Sequence, residues 1–258
     1  MSDRRQRQKE QRAAKREAER KQESRRELTR RLGTAVVFGL VVVGIFTFGG
    51  IFDGDSTDLP GTYEDFRQQE TACGGTQPPA EEIMSFEAPE PQTDITPSVT
   101  VTATIATSCG DLVIELNNAD APETANSFVF LAREGFYDGQ VFYIVSPTFR
   151  SFTGDPQANG TGDPGYVIAD EYPDEGFVYE QGVVAMDNRG ARSTGSRFFL
   201  VAGDDGRVLT NNFNVLGTVV EGEETLAAIG DVPTATAQPG LPIETVYIES
   251  ITIDVAGS

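Results

Sequence analysis

The chain has 258 residues and a formal net charge of −20, from 40 Asp and Glu against 20 Lys and Arg. It contains no His and only two Cys. That argues against Ser-His-Asp catalysis and removes the commonest metal ligand, and two Cys alone make no zinc site. A carboxylate-only calcium site is the one metal site the composition leaves open, but the acidic residues show no EF-hand spacing, and neither a metal nor a cofactor is expected.

The charge is unevenly placed. Residues 1–33 carry 13 Lys and Arg against 6 Asp and Glu, and the rest of the chain carries 7 against 34. An acidic domain is a poor partner for phosphates, so no nucleic-acid binding is expected. In residues 1–33, Glu17–Lys21 and Glu27–Arg31 recur at helical spacing, which supports a solvated helix. The segment reads as a basic cytoplasmic tail, either touching anionic lipid or unstructured and only setting topology. Residues 34–52, GTAVVFGLVVVGIFTFGGI, carry no charge. As a helix they would measure roughly 28 Å, close to the hydrocarbon thickness of a bilayer. Arg30 and Arg31 precede the run and Asp53 and Asp55 follow it, which predicts a cytoplasmic N-terminus. No A-x-A-like site follows, so a single-pass anchor is preferred to a cleaved signal peptide. The expected location is the cell membrane, with the remainder of the chain outside the cytoplasm.

Residues 53–98 hold 11 Asp and Glu, 6 Pro and one Arg. Such a segment buries too little apolar surface to fold alone. It is expected to be a flexible stalk with a reach of roughly 35–40 Å, from which Phe66, Met84 and Phe86 could pack onto the following domain. Outside the cytoplasm, Cys73 and Cys109 are expected to form a disulfide, two free thiols being the alternative.

Residues 99–258 read as the folded domain. Val101, Ala103 and Ile105 alternate with Thr, a turn follows at Ser108–Asp111, and Leu112, Ile114 and Leu116 alternate again, which predicts a β-hairpin. Pro122 and Glu123 suit a helix first turn, an apolar stripe runs from Ala125 to Ala132, and Gly135 ends it. A second helix is expected over 223–229. A last strand is expected over 246–255, whose alternation shifts phase between Ile248 and Ile251. Between these helices, Val183–Met186 and Arg197–Val201 read as two strands joined by a polar, Gly-containing turn. Adjacent Phe198 and Phe199 must face opposite sides.

Two blocks carry a more specific signal. Met186-x-Asn188-x-Gly190-x-x-x-x-Gly195-Ser196-x-Phe198-Phe199 resembles the central motif of cyclophilins. Phe142-x-x-x-x-Pro147-x-Phe149, Gly154-Asp155-Pro156 and Gly162-x-Pro164-Gly165-Tyr166 resemble a second block of that family, in the right order. Pro122-Glu123-Thr124-Ala125-Asn126-Ser127-Phe128 resembles its first helix. The resemblance covers roughly 101–255. It implies a mainly β fold, a closed antiparallel barrel capped by two helices, here preceded by the single transmembrane helix.

The resemblance also implies peptidyl-prolyl cis-trans isomerisation of proline-containing polypeptides, here secreted or envelope proteins. Rotation about an Xaa-Pro bond has a barrier of about 18–20 kcal/mol and needs neither nucleophile nor metal. An apolar cup for the ring and a donor aimed at the prolyl nitrogen suffice. Phe149, Met186, Asn188, Phe199, Leu209 and Phe213 match family groove positions and are the expected peptide-binding residues. The family's Arg donor position is held by Ile144, its Gln by Phe152, its His by Phe213 and its frequent Trp by Val208. Two arginines are candidate replacements. Arg150 lies six residues past Ile144, up to about 20 Å along an extended strand, so Arg197, at a groove position, is the preferred candidate to take over all or part of peptide anchoring, a surface or salt-bridged Arg in this carboxylate-rich domain being the alternative. If no donor survives, the alternative is a catalytically weak peptide-binding or chaperone module.

Overall fold

In the computed structural model, the described residues are 61–80 and 82–256. The expected tail (1–33) and transmembrane helix (34–52) lie outside them. Among the described residues, no helix is long and apolar enough to cross a membrane.

Among the described residues, seven strands form one sheet: β1 (Thr100–Thr107), β2 (Gly110–Leu116), β3 (Arg150–Thr153), β4 (Val183–Met186), β5 (Phe198–Val201), β6 (Val215–Glu221) and β7 (Ile248–Ala256). Their order is β3-β5-β4-β6-β2-β1-β7, and every pairing is antiparallel. The architecture is a mainly β half-barrel with few helices. The alternation read in β1 and β2 is the core face: Val101, Ala103, Ile105, Leu112, Ile114 and Leu116 are all buried. The phase shift in the last strand is a bulge. Ala106 pairs with Ser250 but Thr107 with Ile248, so Glu249 is looped out of the ladder.

Segment 139–144 bonds to both ends of the sheet. Gly139 and Phe142 donate to Ile248 and Val246 at 2.8 and 3.0 Å, Tyr143 donates to Phe152 at 3.1 Å, and Phe152 donates to Ile144 at 2.8 Å.

Helix α2 (Pro122–Arg133) packs against β6 and β7. It ends in a Schellman motif: Phe136 donates to Leu131 at 2.9 Å and Gly135 to Ala132 at 3.1 Å, with Gly135 at φ 73°. Its N-cap, Ala121, offers no side-chain acceptor. The carboxylate of Glu171, from a distant loop, replaces it and accepts from the backbone N–H groups of Glu123 (3.0 Å) and Thr124 (2.8 Å) and from the Thr124 hydroxyl (2.7 Å). Charge and helix dipole act together here. Glu171→Ala is expected to cost about 1–2 kcal/mol, read as a lower urea midpoint at unchanged m. Helix α3 (Glu223–Gly230) packs against β2 and β3.

The stalk reading is corrected from residue 61 onward. A short helix, α1 (Tyr63–Arg67), opens with a capping box between Thr62 and Asp65 and buries Phe66 completely. The following chain lies along Thr245: Ala72 donates to its carbonyl at 2.9 Å, and Thr245 donates its N–H to Glu70 at 2.8 Å and its hydroxyl to Phe66 at 2.6 Å. Phe86 meets Phe130 edge-on at 5.0 Å, and Met84 packs on the same core. The segment packs its apolar side chains into clusters formed with the domain it covers. Cys73 and Cys109 are joined, 36 residues apart, fastening the segment to the β1–β2 turn.

Candidate active site

Strand period places the site. On β3, Ser151 and Thr153 are buried toward the core, while Arg150 and Phe152 are half-buried on the opposite face. β5 pairs Phe152 with Phe199 and Arg150 with Val201, and β4 sets Ala185 beside Phe199. These side chains therefore share one face. There Tyr179, Val183, Ala185, Phe199, Val201 and Val215 form a second apolar cluster, with Phe152, Leu209 and Phe213 packed on it. Phe213 meets Phe199 edge-on at 5.3 Å. The Tyr179 hydroxyl donates to the Phe213 carbonyl at 2.8 Å, which fixes the loop that carries Phe213.

The result is a half-exposed cup of Phe149, Leu209 and Phe213 over a fully buried Phe199. Four of the expected peptide-binding residues thus come together. Asn188 stands at the side of this groove as a brace between loops: its Nδ2 donates to the Asn212 carbonyl at 2.7 Å and its Oδ1 accepts from Gly190 N–H at 3.1 Å. Met186 is corrected. It pairs with Phe198, not Phe199, and is fully buried in the main core. One residue of strand register puts it on the wrong face to touch a peptide.

Arg197 takes the alternative role, that of a salt-bridged Arg, and not that of a free donor. It pairs across the strands with Asp187, whose N–H donates to the Arg197 carbonyl at 2.8 Å. Its Nε donates to Asp187 Oδ2 at 3.1 Å, and its Nη1 donates to the Gly160 carbonyl. The Arg197 side chain is 4 % exposed and that of Asp187 18 %. Burial raises the Asp187 carboxyl above its usual range, an effect that the charges of Arg197 and Arg150 only partly offset. Gly160 is itself fixed by Asp155, which accepts from Gln157, Asn159 and Gly162 backbone N–H groups at 2.8, 3.2 and 3.1 Å. Arg197 thus forms a wall of the cavity lined by Gly162, Asp163, Val167, Arg189 and Ser193, with two of its donor positions committed to the protein.

Arg150 is the cation inside the cup. Its guanidinium carbon lies 4.4 Å from the Phe149 ring centre, 4.8 Å from Phe152, 4.8 Å from Phe199 and 5.6 Å from Phe213. Its Nε is buried with no hydrogen-bond partner. Desolvation pulls its pKa down to about 10, partly offset by the charge of Asp187. It therefore stays cationic at neutral pH. The estimate of 20 Å from Ile144 is overturned, because the chain reverses at Ser146–Phe149. The Ser146 hydroxyl accepts from Phe149 N–H at 3.2 Å, and Phe152 returns to bond with Ile144. The signal was present in Pro147 flanked by Ser and Thr, a turn composition. Phe152 and Asp187 also belong to the site.

Comparison with known proteins agrees with this geometry. The family model described as cyclophilin type peptidyl-prolyl cis-trans isomerase/CLD matches residues 102–253. A probable peptidyl-prolyl cis-trans isomerase B of Mycobacterium leprae is 35 % identical over 175 residues, covering 62 % of this chain and 59 % of that protein. Peptidyl-prolyl cis-trans isomerase A of Mycobacterium tuberculosis is 36 % identical over 172 residues, covering 61 % and 94 %. A crystal structure of a Cryptosporidium parvum cyclophilin-type isomerase in the presence of the dipeptide Ala-Pro is 26 % identical, with a TM-score of 0.55, over 59 % of this chain and 98 % of that one. The matched region takes in β2 to β6 whole, β1 and β7 except their outer ends, the cup and both arginines, and on this match the chain belongs to the cyclophilin-type peptidyl-prolyl cis-trans isomerase family.

Proposed function

We propose that the protein catalyses cis–trans rotation of Xaa-Pro bonds in polypeptides outside the cytoplasm, held near the membrane by residues 34–52. The observation that carries the catalytic reading is the aromatic cup of Phe149, Leu209 and Phe213 over Phe199, beside a guanidinium with no carboxylate on it. The exposed parts of Phe149, Leu209 and Phe213 offer an apolar rest for a proline ring next to that guanidinium. The prolyl amide loses resonance during rotation, and a fixed cation in a dry site favours that state. The anchor reading rests on the uncharged run and its flanking charges. Closure of the sheet into a barrel is supported by segment 139–144, which bonds toward β7 on one side and β3 on the other. Asn188 braces the loop over which a peptide would run.

Ile144, in place of the family's Arg, favours a second reading: a module that binds proline-containing segments without turning them over. A protease-coupled assay on a short Ala-Pro peptide separates the two. Acceleration that grows linearly with protein concentration is expected. Peptide binding with no acceleration would replace the isomerase by the binding module.

A further inference from the structure

We infer that Arg150 is the catalytic cation of this protein, reaching from β3 into the groove to take the place left by Ile144. The inference rests on the isomerase reading and assigns its donor. Ile144 and Phe152 face each other across an antiparallel bridge, and Arg150 lies two residues before Phe152 on the same face of β3. A side chain there starts one diagonal step from the backbone of Ile144. A cation at either position can serve the same groove.

Three properties suit Arg150 to the task. Four rings hold its guanidinium by their negative faces, so it is positioned without spending its N–H groups. No ion pair or side-chain hydrogen bond uses those groups among the described residues, and Nε is buried without an acceptor. The residue is half-buried, so the other end of the guanidinium remains reachable from the groove. Arg197, Arg67, Arg133 and Arg207 differ. Arg197 bonds to Asp187 and the Gly160 carbonyl. Arg67 bonds to Tyr63 and the Pro78 carbonyl. Arg133 and Arg207 sit in exposed ion pairs.

In the reaction the proline ring rests on the exposed parts of Phe149, Leu209 and Phe213. As the Xaa-Pro bond twists, the prolyl nitrogen regains its lone pair and accepts a hydrogen bond from an Arg150 N–H. No proton is transferred and no covalent bond breaks; the donor returns to its starting state when the amide becomes planar. The aromatic ring around the cation also explains Phe152 and Phe213. At positions where the family carries Gln and His, this chain carries two more rings, and both face the Arg150 guanidinium.

The test uses the full-length chain with an Ala-Pro tetrapeptide, measuring turnover at saturating peptide and, separately, peptide Kd by NMR titration. The parent accelerates exchange. Arg150→Met is expected to lower turnover at saturation by about 100-fold, the scale of removing one fixed donor, with Kd nearly unchanged and a melting temperature no lower than the parent's. Arg150→Lys, which keeps a charge but one compact donor head, falls between them. The double variant Ile144→Arg/Arg150→Met is expected to regain at least about tenfold over Arg150→Met, since a cation is returned to the same groove. An active Arg150→Met would overturn this assignment while leaving the isomerase reading intact. A parent with no acceleration would overturn both.

Discussion

Replacing Asp187 with Ala is expected to destabilise the protein by about 3–5 kcal/mol, the cost of leaving one member of a buried ion pair without its partner. Arg197 is 4 % exposed, and its remaining partner would be the Gly160 carbonyl. Its charge cannot move to water without opening the turn between β4 and β5. Asp187→Asn keeps an acceptor for Nε and is expected to cost less than the Ala substitution. Removing both charges, as Asp187→Ala with Arg197→Leu, is expected to recover much of the loss, because the pair's attraction roughly repays its own desolvation. The urea midpoint, at constant m, reads each value. A loss below about 1 kcal/mol for Asp187→Ala would mean the pair behaves as a solvated surface bridge. The same substitution removes a negative charge that acts on Arg150, so a change in turnover is expected alongside the change in stability.

Opening the Cys73–Cys109 link is the second large effect. The bond closes a 36-residue separation, and the chain-entropy argument gives about 3–4 kcal/mol for a loop of that length. The link joins the covering segment to the β1–β2 turn, where the Thr107 hydroxyl donates to Gly110 at 2.6 Å and accepts from Cys109 N–H at 3.1 Å. Cys73→Ser, Cys109→Ser and the double variant are expected to lose the same stability, since each removes one bond. Limited proteolysis should then cut within residues 61–80 sooner than in the parent, because Phe66 and the bonds to Thr245 remain but the tether is gone. Equal protease resistance and an unchanged midpoint would mean that docking of α1 alone holds the segment.

Much of the fold was legible because it is repetitive. Period-two alternation marked β1 and β2, Pro122 and Gly135 bracketed α2, and the phase change before Ile251 marked the bulge in β7. Phe199 and Phe213 could be placed in the groove from the family pattern. The misplacements came from relations that do not run along the chain. Met186 was legible in principle, since the register that pairs it with Phe198 sends it to the core; the motif drew attention to the residue and not to its parity. The same register sets Asp187 opposite Arg197, which makes Arg197 an ion-pair partner and weakens it as a donor. The reach of an extended strand places Arg150 far from Ile144, and the turn at Ser146–Phe149 removes that separation. Residues 61–98 looked unfoldable because composition measures only what a segment can bury by itself. Phe66, Phe86 and the disulfide find their partners in the domain, 35 or more residues away in sequence. Glu171 as the cap of α2 had no local signal at all.

The measurement that tests the central claim most directly is exchange NMR of a proline-containing peptide with the full-length parent protein, reading binding and cis–trans exchange in one sample. Uncatalysed exchange takes tens to hundreds of seconds. The account predicts exchange many times faster, at substoichiometric protein, with the prolyl ring signals shifted by the surrounding aromatic rings. Shifted signals with exchange still at the uncatalysed rate would contradict it and leave a groove that binds proline without turning it.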